Sequence, residues 1–116
     1  MPKKFIKSFK YAKAGAQHAI KTQRNLWIHF FVGLAVLGAA VWLRVSVIEL
    51  SVLVVTIFGV IVTEMVNTSI EELVNILSPG HRAQAALAKN VAAAAVLLAG
   101  VGAVVVGCLI FIPRFI

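Results

Sequence analysis

At 116 residues, with 61% hydrophobic and 13% charged side chains and a mean hydropathy of +1.00, the chain is one domain, too small and too apolar for a soluble globule. The net charge of +7 is lopsided: Lys3, Lys4, Lys7, Lys10, Lys13, Lys21 and Arg24 stand in residues 1–25 with no acid, and the other four bases cancel the four acids. This composition excludes a soluble enzyme, and no nucleic-acid partner is expected because the basic arm leads straight into an apolar run. Anionic lipid headgroups and a phosphate-bearing substrate are the simpler partners for it.

Residues 2–22 place Phe5, Phe9, Ala12, Ala16 and Ile20 at helical spacing, with lysines on the other faces. The pattern predicts an amphipathic helix lying in the membrane interface, either as a plain anchor or as part of a site. No cleavable signal peptide is expected, since the first apolar run begins only near Leu26. Leu26–Leu43 is the first expected span, bracketed by Trp27 and Trp42 as an aromatic belt and carrying His29 near its start. Its length, roughly 27 Å as a helix, suffices for the hydrocarbon core. After the turn Arg44-Val45-Ser46, the second span covers Val47–Val66, with Glu49 at its outer end, and its helix continues to about Leu77. Ser78-Pro79-Gly80 breaks that helix. His81–Asn90 is expected to be a short polar segment, and Val91–Ile112 a third span with Gly100, Gly102 and Gly107 as close-approach positions. The lone Cys108 excludes an internal disulfide and a cysteine metal site, and reads as a small core hydrophobe. The N-terminal arm and residues 78–90 hold nine of the eleven bases. By the positive-inside rule both therefore lie in the cytoplasm.

Three of the four acids fall in Glu64–Asn75, at the end of the second span. On a helix Glu64, Asn67, Thr68, Glu71 and Asn75 share one face, while Val66, Ile70, Leu73, Val74 and Leu77 form the other. Carboxylates that begin inside a membrane-like run usually mark function, although a merely solvated helix end looks similar. Glu64 and Glu71 lie two turns apart, so one can hold Mg²⁺ while the other takes a proton from a hydroxyl. Lys89, expected just before the third helix, suits phosphate binding together with free backbone N–H groups. No P-loop, protein-kinase signature or G-x-G-x-x-G is present.

Glu64-x-x-Asn67-x-x-x-Glu71 after the second of three spans, followed by Ala88-Lys89 and an alanine-rich third span, resembles the prokaryotic diacylglycerol kinase family. Thr22-Gln23-Arg24-Asn25-x-x-Ile28-His29, Ser78-Pro79 and Ile110-Phe111-Ile112-Pro113-Arg114 are similar to its undecaprenol kinase branch. The resemblance spans nearly the whole chain. It implies an all-α integral membrane protein of three transmembrane helices plus a surface helix, residues 1–116 forming one lipid kinase-like domain. It further implies a homotrimer in the bacterial inner membrane that uses ATP and Mg²⁺ to phosphorylate a membrane lipid alcohol on the cytoplasmic side, undecaprenol favoured over diacylglycerol. By that resemblance Glu64 is the general base, oriented by Asn67. Glu71 is a metal ligand with Gln23 beside it. Lys89 and Asn90 bind the nucleotide, with Lys4 and Tyr11 lining its site.

Some positions depart from the family pattern. Gln23, Asn75 and Asn90 stand where the family usually has acids, and His81 falls one residue early in its loop. Each amide keeps the shape of the acid and loses its charge, so weaker metal binding or a changed substrate is expected. A non-catalytic trimer of the same fold, binding lipid or nucleotide, is the alternative, and a small multidrug-type transporter is a third.

Overall fold

The computed structural model describes residues 2–80 and 82–116, so the expectation placed on His81 lies outside the described residues. The described residues form four α-helices, α1 (Pro2–Thr22), α2 (Arg24–Trp42), α3 (Val47–Leu77) and α4 (Ala83–Phe111), followed by one 3₁₀ turn, Ile112–Arg114. Helices α2, α3 and α4 are each long and apolar enough to cross a membrane. This is the expected integral membrane, all-α fold, with α1 as a separate N-terminal amphipathic helix.

Two boundaries differ from those read in the sequence. The first span starts at Arg24 and ends at Trp42. More consequentially, α4 begins at Ala83, so the supposed polar segment before the third span is its first two turns. Ala83, Ala85, Ala86, Leu87 and Ala88 are strong helix formers, the polar Gln84 and Lys89 are nearly as good, and only Asn90 is weaker. Lys89 therefore stands inside the helix, where its own N–H is already used, and not at a free N-terminus.

The α2–α3 turn is tightly specified. Val45 N–H bonds to Ala40 O at 3.1 Å and Arg44 N–H to Val41 O at 3.1 Å, a Schellman closure that holds Arg44 at φ 56°. The next residue starts a capping box: Ser46 Oγ accepts from Glu49 N–H at 3.1 Å, and Glu49 Oε1 accepts from Ser46 N–H at 3.0 Å. Arg114, just beyond α4, donates to Glu49 Oε1 at 2.8 Å and reaches Leu43 O at 3.4 Å. All three spans are thus tied together at this end, above a small cluster of Ala40, Leu53 and Ile110.

At 31 residues α3 is about 46 Å long, well beyond the roughly 30 Å hydrocarbon core. With its capping box at one surface, its final turns emerge at the other, which is where the polar stripe lies. Close contact along α2 and α3 is set at Gly33, where a Cβ would come within 2.8 Å of Ile57 Cγ2. Elsewhere apolar side chains face outward; Phe58, Val62, Leu97, Leu98 and Leu109 are all more than half exposed. Cys108 is exposed as well, and not the core residue expected, because a lipid-facing helix side accepts a thiol as readily as a core does.

Candidate active site at the polar end of the second span

The stripe predicted from helical spacing lies on one continuous α-helix; α2 and α4 each bring a basic side chain to it, and α1 brings a third to Glu72 on its flank. Glu64 is its deepest member, 3% exposed, with Thr68 at 5% beneath it. Thr68 Oγ1 donates to the Glu64 carbonyl at 3.0 Å, which satisfies the hydroxyl inside the helix. From α2, His29 Nε2 stands 3.7 Å from Glu64 Oε2. From α1, His18 Nε2 meets Glu72 Oε1 at 2.6 Å. From α4, the Lys89 ammonium donates to Asn75 Oδ1. Sequence spacing alone could not name these pairs, because each joins residues distant in the chain. The signal available was a histidine placed inside an otherwise apolar helix.

Asn67 connects differently from the role its resemblance implies. Its Nδ2 donates to Glu71 Oε1 at 3.1 Å, the neighbour one turn onward, and not to Glu64. Its Oδ1 is buried with no hydrogen-bond partner, an expensive state for a carbonyl oxygen. An acceptor left free beside a carboxylate is a donor set for a hard cation. No group of three His, Cys, Asp or Glu converges among the described residues. Mg²⁺ does not require one, since it commonly takes one or two carboxylates and completes its shell with water and substrate phosphates. Glu71 and the free Asn67 oxygen fit that mode. Gln23 is the single non-helical residue between α1 and α2, extended at φ −111° and half-buried.

The remaining candidates are spread out. Lys4 and Tyr11 lie exposed on α1, and Asn90 is exposed on α4. Helix α1 is held only near its C-terminal end, where Ala19 is buried, His18 pairs with Glu72, and Trp27 Nε1–H donates to Ile20 O at 2.8 Å. Lys4 is fourteen residues before His18, or roughly 21 Å along a straight helix. One chain therefore brings Glu64, Asn67, Glu71 and Lys89 to a common stripe and leaves Lys4 well away from it.

A three-span membrane protein with a buried carboxylate just past the middle of its longest helix, faced by a histidine from α2 and followed along the same stripe by a lysine contact from α4, is the class these features define. The chain belongs to the prokaryotic diacylglycerol kinase family, whose sequence profile matches residues 10–111. It is 42% identical over 107 residues to a protein named diacylglycerol kinase from Synechocystis, covering 91% of this chain and 61% of that one. It is 34% identical over 111 residues to one named undecaprenol kinase from Bacillus subtilis, covering 96% of this chain and 90% of the relative.

Proposed function

We propose that the protein is an ATP- and Mg²⁺-dependent kinase of a membrane lipid alcohol. The observation that carries this reading is the buried Glu64 at the head of a stripe to which α2 and α4 deliver His29 and Lys89, with His18 of α1 on Glu72 at its flank. A primary alcohol is a poor nucleophile, and phosphoryl transfer needs a base, charge neutralisation and alignment rather than a covalent intermediate. Glu64 is placed to take the hydroxyl proton where the stripe enters the bilayer, so that a lipid can arrive sideways and keep its chains in the membrane. Lys89, on the second turn of α4, is placed to leave Asn75 for a nucleotide phosphate. Glu71, with the free Asn67 oxygen one turn before it, would hold Mg²⁺, and Gln23 is the second ligand the resemblance implies. When bound, the ion neutralises phosphate charge and aligns the transferring group.

Undecaprenol is favoured over diacylglycerol. The Thr22–His29 and Ile110–Arg114 segments are similar to the undecaprenol kinase branch, and the similarity to the relative of that name covers 90% of it. Against this stands the higher identity to the relative named diacylglycerol kinase, of which the chain spans only 61%. The basic asymmetry favours a cytoplasmic site in a bacterial inner membrane, with the lysines of α1 on anionic headgroups. The distance of Lys4 from the stripe favours an oligomer in which a neighbouring subunit completes each nucleotide site, and the resemblance makes that oligomer a homotrimer.

Offering undecaprenol, diacylglycerol and a short-chain alcohol in turn to the purified protein in lipid micelles, and measuring ATP consumption, tests the reading. Consumption with undecaprenol above the other two is expected. No consumption with any alcohol at saturating Mg²⁺ would favour a non-catalytic lipid- or nucleotide-binding trimer, a reading consistent with the amides at 23, 75 and 90.

A further inference from the structure

We infer that His29 is a positioning residue for Glu64 and the outlet for the proton that Glu64 removes. The inference rests on the kinase reading of the same site. Three observations converge on it. His29 Nε2 lies 3.7 Å from Glu64 Oε2, and the two side chains are 29% and 4% exposed, so the carboxylate is closed off while the imidazole keeps an opening. Helix α2 is otherwise apolar from Leu26 to Leu43, so a histidine there is out of pattern. Finally, His29 stands at one end of a groove of about 460 Å³ between α2, α3 and α4 that also includes Val32, Val36, Leu53, Ile57 and Phe111. Its neighbours from α4 in this groove, Gly100, Ala103, Val104, Gly107 and Phe111, carry no titratable group. The acid that faces it comes from α3 and is Glu64.

A base shut away from water can take one proton and then must lose it before the next turnover. In the transfer step the lipid hydroxyl oxygen bonds to the γ-phosphorus, and the bond from that phosphorus to the bridging oxygen breaks, its electron pair leaving with ADP. The hydroxyl proton goes to the Glu64 carboxylate. His29, with its ring proton on Nδ1, accepts that proton at Nε2 directly or across one water, and the imidazolium gives up its Nδ1 proton toward the α1–α2 end of the span, where α2 begins five residues earlier at Arg24. Loss of the Nδ1 proton leaves the neutral ring with its proton on Nε2, an N–H that faces Glu64 Oε2 and orients the carboxylate. Exchange with solvent returns the proton to Nδ1 before the next transfer. The substrate alcohol thus meets a carboxylate that is oriented and deprotonated.

The test uses the full-length protein in lipid micelles, with ATP, Mg²⁺ and undecaprenol as probes. His29→Ala and His29→Gln are expected to lower kcat by about 10²-fold, with KM for ATP and for the alcohol nearly unchanged. Added imidazole should restore part of the His29→Ala rate in proportion to its concentration, and should do nothing for Glu64→Gln. A kcat for His29→Gln equal to that of the unmodified protein overturns the proposal, and so does a loss in His29→Ala that imidazole leaves untouched. A second readout needs no turnover. The melting temperatures of His29→Gln, Glu64→Gln and the double variant should show a combined loss smaller than the sum of the single losses. Additive losses overturn the pairing. Non-additive losses in a protein that phosphorylates no alcohol would defeat the kinase reading and uphold the His29–Glu64 pairing.

Discussion

Residue by residue, the site is a division of labour among oxygens that differ mainly in burial. Glu64 is closed off and faces a histidine, whereas Glu71 is half-buried and already receives the Asn67 amide. The first arrangement suits proton transfer and the second suits a cation. The Glu64–Glu71 separation and the shared face were legible in the sequence, because helical geometry fixes them. Asn67's choice of Glu71 over Glu64 was not, since it lies three residues from one and four from the other and both are within reach. Gln23 gives a direct test of the charge deficit. Gln23→Glu should lower the Mg²⁺ concentration for half-maximal rate several-fold, because a second carboxylate adds attraction at short range. An unchanged Mg²⁺ requirement in a steady-state titration would place Gln23 outside the metal's reach.

Among the elements, α3 sets the geometry. Its capping box joins Ser46 and Glu49, legible in the sequence only as a turn residue and an acid at the outer end of the span, and Arg114 reaches it from 65 residues away. The start of α4 was less legible. Polar residues between Arg82 and Asn90 resemble a loop by composition, yet an alanine-rich backbone carries the helix through them, which moves Lys89 from a helix end to its second turn. The α2–α3 contact also rests on one residue that composition does not reveal. Gly33→Ala would put a Cβ 2.8 Å from Ile57 Cγ2, and Ile57 is branched at Cβ and stiff about χ1. The cost should be about 1–3 kcal/mol, read from unfolding of the protein in mixed micelles. Ile57→Ala should destabilise less in the Gly33→Ala background than alone, because it removes the methyl group that collides. Equal costs in the two backgrounds would show that the helices simply move apart.

The molecule exposes much of its apolar surface and, among the described residues, holds α1 by its last turns, so one chain leaves the Lys4 end of α1 away from the stripe. Three spans, their order and the surface helix were legible because membrane helices must satisfy their own backbones and show it as apolar length. The side chains that meet across helices were not, since their partners lie 14, 35 and 54 residues apart. If neighbouring subunits share sites, mixing inactive Glu64→Gln chains with inactive Lys89→Ala chains before reconstitution should recover a measurable fraction of the rate. Recovery of none in any ratio would point to sites contained within one chain.

The most direct measurement is transfer of labelled γ-phosphate from ATP to undecaprenol by the unmodified protein and by Glu64→Gln, at saturating Mg²⁺ and with comparable folding checked by thermal unfolding. Labelled lipid phosphate from the unmodified protein, and a loss of at least about 10²-fold in Glu64→Gln that no Mg²⁺ concentration restores, is the expected result. Equal transfer by the two proteins would contradict a kinase that uses Glu64 as its base.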